Sequence, residues 1–187
     1  DMSMLGVGVG GDVRGAGKVN LIAPRTKAGS VYSVPDTREG WVDALRLVLN
    51  PFAGVGYLPS TVDVSGVRRK GAPIKNFGGV ASGPEPLVDM LSICAQILAP
   101  EGVTVKSSRV YGDSERPDYL TAITFDVIGT PVGKSPVTVT QIADVFNLIG
   151  TCVVAGNVRR CLPQKTLVHT SEGLLPIEDV KPGMSAV

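Results

Sequence analysis

A loop-rich α/β protein is predicted by three features of this 187-residue sequence. Twenty-three glycines and fourteen prolines are too many for a helical bundle. Two segments, 86–99 and 138–153, repeat apolar residues at helical spacing, and several short runs alternate as strands do. The length suffices for one sizeable core, or for one domain and a stub.

The first element is Gly-dense: Leu5-Gly6-Val7-Gly8-Val9-Gly10-Gly11-Asp12. Such a run packs closely when extended but is too rich in glycine for an independent strand. A polar stretch follows. A helix is predicted after Asp36 or Thr37, either of which can cap it, with Trp41, Val42, Leu45, Leu47, Val48 and Leu49 as its apolar positions. Pro51 ends that helix. Thr61 to Val64 is a strand candidate. It leads into the basic loop Val67-Arg68-Arg69-Lys70-Gly71-Ala72-Pro73-Ile74-Lys75 and a second Gly-rich turn, Asn76 to Pro84, with Gly78 and Gly79 at its centre.

Pro86 to Ala99 is the clearest helix, with Leu87, Met90, Leu91, Cys94, Ile97 and Leu98 on one face, and Pro100 stops it. Residues 100–137 read as irregular and polar, with short extended pieces such as Leu120 to Val127. A second strong helix starts near Thr138 to Thr140, continues through Val153 and ends at Gly156-Asn157, a suitable C-terminal signal. Beyond Cys161, Thr166 to Thr170 alternates like a strand. Ser171-Glu172-Gly173 is a turn, and Leu174 to Val180 extends again.

Composition narrows the function. A net charge of +1 gives no bulk attraction to nucleic acid or acidic membranes, so neither is an expected partner. No apolar run reaches membrane-spanning length, and no secretion signal opens the chain. Three cysteines without regular spacing favour a reducing cytoplasm over a disulfide scaffold. One histidine and scattered acids make no metal constellation. The two ends read as cuts in a longer protein.

The groups able to do chemistry are few. Arg68, Arg69, Lys70 and Lys75 offer cations, and Gly78-Gly79 lets a backbone approach a ligand closely. Taken alone, such a loop is an ordinary solvated turn. Arg159-Arg160 would equally be a helix-end pair meeting the negative end of the dipole. Cys94 and Cys152 lie on apolar helical faces and read as buried structural thiols. Trp41 reads as core.

Four runs together resemble the adenosylcobalamin-dependent (class II) ribonucleoside-triphosphate reductases. They are Met4 to Gly10; Pro35-Asp36-Thr37-Arg38-Glu39-Gly40-Trp41-Val42; Gly71-Ala72-Pro73-Ile74 with Phe77 to Pro84; and Asn147 to Gly150 with Val153 to Arg160. They stand in the family's order over residues 1–160. The resemblance implies part of a ten-stranded α/β barrel, carrying early barrel strands and the helices of the allosteric region. It implies ribonucleoside triphosphate reduction through a cobalamin-generated thiyl radical, with adenosylcobalamin as cofactor and an external dithiol such as thioredoxin as reductant. A deoxynucleoside triphosphate effector would meet Arg68, Arg69, Lys70, Lys75, Gly78 and Gly79. Gly156-Asn157-Val158-Arg159-Arg160 would be the loop that carries effector identity to the substrate base. The redox and radical cysteines are expected before Asp1 and far beyond Arg160, so residues 1–160 should not reduce nucleotides unaided. Two departures stand out. The family usually has an aromatic where Gly11 stands, and the segment from Pro100 to Val137 is longer than expected between the two helices.

At Cys161 the resemblance changes. Cys161-Leu162-Pro163, Thr166 to Thr170 and Gly173-Leu174-Leu175-Pro176-Ile177-Glu178-Asp179-Val180 look like the N-terminal splicing block of an intein, a short β stub of a Hint-type domain over residues 161–187. There Cys161 would be the splicing nucleophile and the Arg160 carbonyl its target. His169, the only histidine, lies in the strand of that block. Other readings are a non-catalytic deoxynucleotide-sensing module and a reductase served by a separate radical-generating subunit. The Asp36 to Val42 and Phe77 to Pro84 runs favour the cobalamin type over the latter.

Overall fold

The computed structural model describes residues 9–74, 80–112, 118–155, 167–170 and 173–176. Its centre is a four-stranded mixed sheet in the order β2-β3-β5-β4, built from β2 (Thr26–Ser33), β3 (Leu58–Asp63), β4 (Val103–Tyr111) and β5 (Leu120–Gly129). β2 runs parallel to β3, and β5 is antiparallel to both β3 and β4. Helices α1 (Arg38–Leu49), α2 (Glu85–Ile97) and α3 (Val139–Val154) complete this part. The two-residue strands β1 (Asn20–Leu21) and β6 (Ser135–Pro136) pair antiparallel and fasten the N-terminal segment to the approach of α3.

The β2–α1–β3 unit forms as its caps and punctuation dictate. Of the two possible caps, Thr37 serves: its hydroxyl accepts from the Gly40 N–H at 3.0 Å. Gly40 packs directly on Pro35, leaving no room for a side chain. Pro51 ends the α-helix as expected, and the chain continues in a 3-10 turn over Asn50–Ala53 that buries Phe52. Trp41 is half-buried against the core.

β2 was hidden inside the polar stretch. It is an edge strand with a register shift between Lys27 and Val31, where Gly29 has φ +70°. Two serines hold the bulge. The Ser60 N–H donates to Ser30 Oγ at 3.0 Å, and the Ser60 hydroxyl donates to the Ser30 carbonyl at 2.7 Å.

α2 has no side-chain cap at Pro84, yet it is the best buried helix. Leu87, Val88, Leu91, Cys94 and Ala95 are fully covered. Burying the three aliphatic side chains contributes about 5–9 kcal/mol as an upper estimate, against about 1 kcal/mol for a good cap. Packing therefore sets this helix.

Residues 100–137, expected to be irregular, contain the two longest strands among the described residues. The apolar alternation of β4 stops half-way. Val103 and Val105 face α2, but the next inward positions are Ser107 and Arg109. Polar partners on α2 take them up. Ser107 Oγ lies 2.5 Å from Ser92 Oγ, Gln96 Nε2 donates to Ser107 Oγ at 3.2 Å, and Arg109 pairs with Asp89. An apolar-periodicity reading cannot see such a strand.

α3 begins in a reciprocal capping box between Thr138 and Gln141. Gln141 Nε2 also donates to the Ile97 carbonyl at 2.6 Å, tying the start of α3 to the end of α2. Only Cys152 of α3 is fully buried, and Phe146 stays half-exposed. The Phe146 ring covers Gly11 so closely that an added Cβ would stand 2.5 Å from its Cζ. An aromatic ring thus fills the space beside Gly11, supplied by α3 instead of by position 11.

After α3, strand β7 (Leu167–Thr170) forms where a strand was expected and pairs antiparallel with β8 (Gly173–Pro176), His169 standing opposite Leu174, while Ser171 and Glu172 of the expected turn lie outside the described residues. Among the described residues no helix is long and apolar enough to cross a membrane.

Leu91→Ala should destabilise the sheet–helix core by about 2–5 kcal/mol. Native-state hydrogen exchange of the full-length protein should show this as faster exchange in α2 and β5 together. Exchange unchanged in β5 would mean that α2 does not hold the sheet.

Candidate functional site

The basic loop joins β3 to α2. Its first turn is anchored by the core: Val64 and Val67 are buried, the Val64 N–H donates to the Thr121 carbonyl at 2.7 Å, and the Val67 N–H donates to the Val64 carbonyl at 2.9 Å. The end of β3 is fixed by Asp63, which accepts from the Ser65 N–H at 2.9 Å and the Ser33 hydroxyl at 3.0 Å. Burial works to raise the Asp63 carboxyl, but the bonds from Ser65 and Ser33 outweigh it and hold it below the usual carboxylate range.

The three described cations of the loop do different things. Arg68 Nε donates to Asp36 Oδ2 at 2.7 Å, tying the loop to the start of α1. Both side chains are about one-third exposed, so the pair contributes no more than about 1 kcal/mol. Arg69 lies over the Tyr119 ring, its guanidinium carbon 4.7 Å from the centroid. The Tyr119 hydroxyl faces the carbonyls of Val67 at 2.8 Å and Ser65 at 3.2 Å. Lys70 is exposed.

Beyond Lys70 the chain turns at Gly71, φ +87°. The Gly71 N–H donates to the Ala81 carbonyl at 2.9 Å, and the Ala81 N–H to the Ala72 carbonyl at 2.8 Å. This closes the loop back onto α2. Gly83, φ +84°, leaves no room for a side chain between Lys70 and the Glu85 carboxylate. Glu85 Oε2 is buried without a hydrogen-bond partner among the described residues, so the acid of the first turn of α2 lies beside the cationic loop.

The structure thus brings Arg68, Arg69 and Lys70 together on one anchored turn. Lys75, Gly78, Gly79, Gly156, Asn157, Arg159, Arg160 and Cys161 lie outside the described residues. Sequence reasoning missed Tyr119 and Glu85. Tyr119 falls in the segment read as irregular, 52 positions from the loop residue it holds. Glu85 stood in plain view beside Pro84 and Pro86, but only the turn at Gly83 aims it at the loop.

Cys94 and Cys152 are both buried, as their helical faces predicted. Burial pushes the Cys94 thiol up to about 11, so it is protonated at neutral pH. Among the described residues no group of three or more His, Cys, Asp or Glu is placed to hold a metal ion.

Comparison with known proteins gives this geometry a context. Residues 13–98, from the N-terminal turns through α2, match the family model described as B12-dependent ribonucleotide reductase, insertion domain. The similarity is to the B12-dependent ribonucleotide reductases. The chain is 36% identical over 165 residues to the adenosylcobalamin-dependent ribonucleoside-triphosphate reductase of Euglena gracilis, which covers 86% of this chain and 18% of that protein. It is 36% identical over 133 residues to the same-named enzyme of Lactobacillus leichmannii, covering 69% of this chain and 14% of that one. A crystal structure of a B12-dependent (class II) ribonucleotide reductase superposes with a TM-score of 0.43 at 30% identity, over 71% of this chain and 14% of that chain. The chain spans less than a fifth of the length of these curated reductases. The basic loop and α2 fall inside the stretch matched to the insertion domain, whereas β4, Tyr119, β5 and α3 lie beyond it.

The raised Cys94 thiol has a testable sign. Its contribution to stability is fully present below the unfolded thiol value, near about 8.5, and is lost as pH rises through the folded value. Pulsed alkylation at pH 8 followed by mass spectrometry should leave Cys94 unmodified in native protein and modified in urea. Native labelling at the rate of a free thiol would contradict the burial.

Proposed function

We propose that this chain is part of an adenosylcobalamin-dependent class II ribonucleoside-triphosphate reductase, and that it contributes early strands of the ten-stranded barrel together with the effector-binding region. The observation that carries the reading is the 36% identity to the Euglena reductase across 86% of this chain. The activity would be conversion of ribonucleoside triphosphates to deoxyribonucleotides, with an external dithiol such as thioredoxin as final reductant, in the cytoplasm. Adenosylcobalamin would supply the radical to the whole enzyme. No corrin contact is assigned among the described residues.

The local role proposed for this region is to bind a deoxynucleoside triphosphate effector. A triphosphate needs cations on a backbone that does not yield when the ligand arrives. The turn carrying Arg69 and Lys70 meets that need, being closed by buried Val64 and Val67 and held by Tyr119. Arg68 is already engaged by Asp36 and acts as the loop's tether. Lys75, Gly78 and Gly79 would complete the phosphate site, and Gly156 to Arg160, directly after α3, would relay effector identity.

From Cys161 onward we propose the N-terminal block of an intein. The Cys161 thiolate would attack the Arg160 carbonyl carbon. The C–N bond breaks, a C–S bond forms, and the thiol proton ends on the freed α-amine of Cys161. No electrons are transferred. A nucleophile further along the protein would then take the acyl group. The sequence pattern at 161–180 supports this, and the antiparallel pairing of β7 with β8 agrees with the extended runs in that pattern.

The complete gene product with Cys161→Ala should accumulate as an unspliced precursor and reduce no ribonucleoside triphosphate. The unmodified protein should splice and then show corrin-dependent reduction. Precursor mass on gels and deoxynucleotide formation measure the two halves separately. Full turnover by an unspliced precursor would overturn the splicing role, and turnover without corrin would overturn the cobalamin assignment.

A further inference from the structure

We propose that Tyr119 is a positioning residue for the effector loop: its ring aims Arg69, and its hydroxyl pins the turn from which Arg69 projects. This rests on the reading of that loop as a triphosphate site. Tyr119 comes from the segment between α2 and α3, beyond the stretch matched to the insertion domain.

The geometry separates two roles for one side chain. The hydroxyl, at 2.8 Å from the Val67 carbonyl and 3.2 Å from that of Ser65, brackets the turn that precedes Arg68. The ring meets the next cation along. A cation held over an aromatic face is attracted by the ring's charge distribution, which takes no hydrogen-bond acceptor's place on its N–H groups. Among the described residues Arg69 has no hydrogen-bond or ion-pair partner competing for those donors. Arg68 differs, since its Nε is spent on Asp36. Arg69 is thus held over the ring with its N–H donors unpaired among the described residues, next to an exposed Lys70.

The platform itself is firm. The Tyr119 carbonyl accepts from the Gly112 N–H at 2.7 Å, and the next residue, Leu120, is fully buried at the start of β5. A long Arg side chain loses much rotamer freedom when a ligand fixes it. The stack removes part of that freedom beforehand, so less affinity is lost on binding. A stack of this exposure corresponds to about a two- to fivefold change in affinity.

The test is a double-mutant cycle in the complete protein, read by calorimetric titration with each of the four deoxynucleoside triphosphates. Tyr119→Leu should weaken binding about two- to fivefold. Arg69→Ala should weaken it more, and Tyr119→Leu should add nothing once Arg69 is gone. Tyr119→Phe keeps the ring but loses the hydroxyl pin, and should weaken binding less than Tyr119→Leu does. Lys70→Ala and Tyr119→Leu should combine multiplicatively, because Lys70 does not touch the ring.

If Arg69→Ala weakens binding while Tyr119→Leu leaves it at the wild-type level, the positioning role is overturned and the effector site stands. An equal loss from Tyr119→Leu with and without Arg69 also overturns it, because the tyrosine would then act only on the fold. If neither Arg69→Ala nor Lys70→Ala changes binding, the effector reading falls and this inference falls with it.

Discussion

The burial of α2 is the constraint on which the rest of the structure depends. Leu87, Val88, Leu91, Cys94 and Ala95 fill the space between the sheet and the neighbouring helices. Phe125 and Ile123 of β5, Val62 of β3 and Val105 of β4 meet them from the sheet side. Because the helix is fixed by packing and not by a cap, its start is free to serve another purpose. Gly83 turns the chain sharply into α2 and presses Lys70 against that start, so the core decides where the cationic loop stands.

A second level of order comes from polar contacts at the margins of this core. Ser92, Gln96 and Asp89 on α2 receive Ser107 and Arg109 where the apolar face of β4 ends. Ser30 and Ser60 hold the bulge of the opposite edge strand. Gln141 joins two helices through one amide while completing its own capping box. Individually these bonds contribute about 1 kcal/mol each. Their effect is to fix register, which apolar contact alone leaves loose at the ends of elements.

The same division organises the candidate site. Arg68 ties the loop to α1, Tyr119 ties it to the entrance of β5, and Val64 and Val67 anchor it in the core. Three independent elements therefore hold one short turn, with Arg69 over the Tyr119 ring and without a hydrogen-bond partner among the described residues, and Lys70 exposed. The loop lies inside the stretch, residues 13–98, that matches the insertion-domain model of the B12-dependent ribonucleotide reductases. The hairpin of β4 and β5 supplies one of the three ties from outside the stretch matched to the insertion domain.

The α1, α2 and α3 helices were legible in the sequence almost to the residue. Helical periodicity, Thr37 and Thr138 as caps, and Pro51 and Pro100 as stops act over a few neighbouring residues. The burial of Cys94 and Cys152, and the strand at Leu167–Thr170, were legible for the same reason. β2 and β4 were not, because their polar positions are satisfied by partners distant in sequence and show no alternation of their own. The basic loop could be found by composition, but its working parts could not. Only the tertiary structure commits Arg68 to Asp36, sets Arg69 on Tyr119 and places Glu85 beside Lys70, since each depends on residues that folding alone brings together.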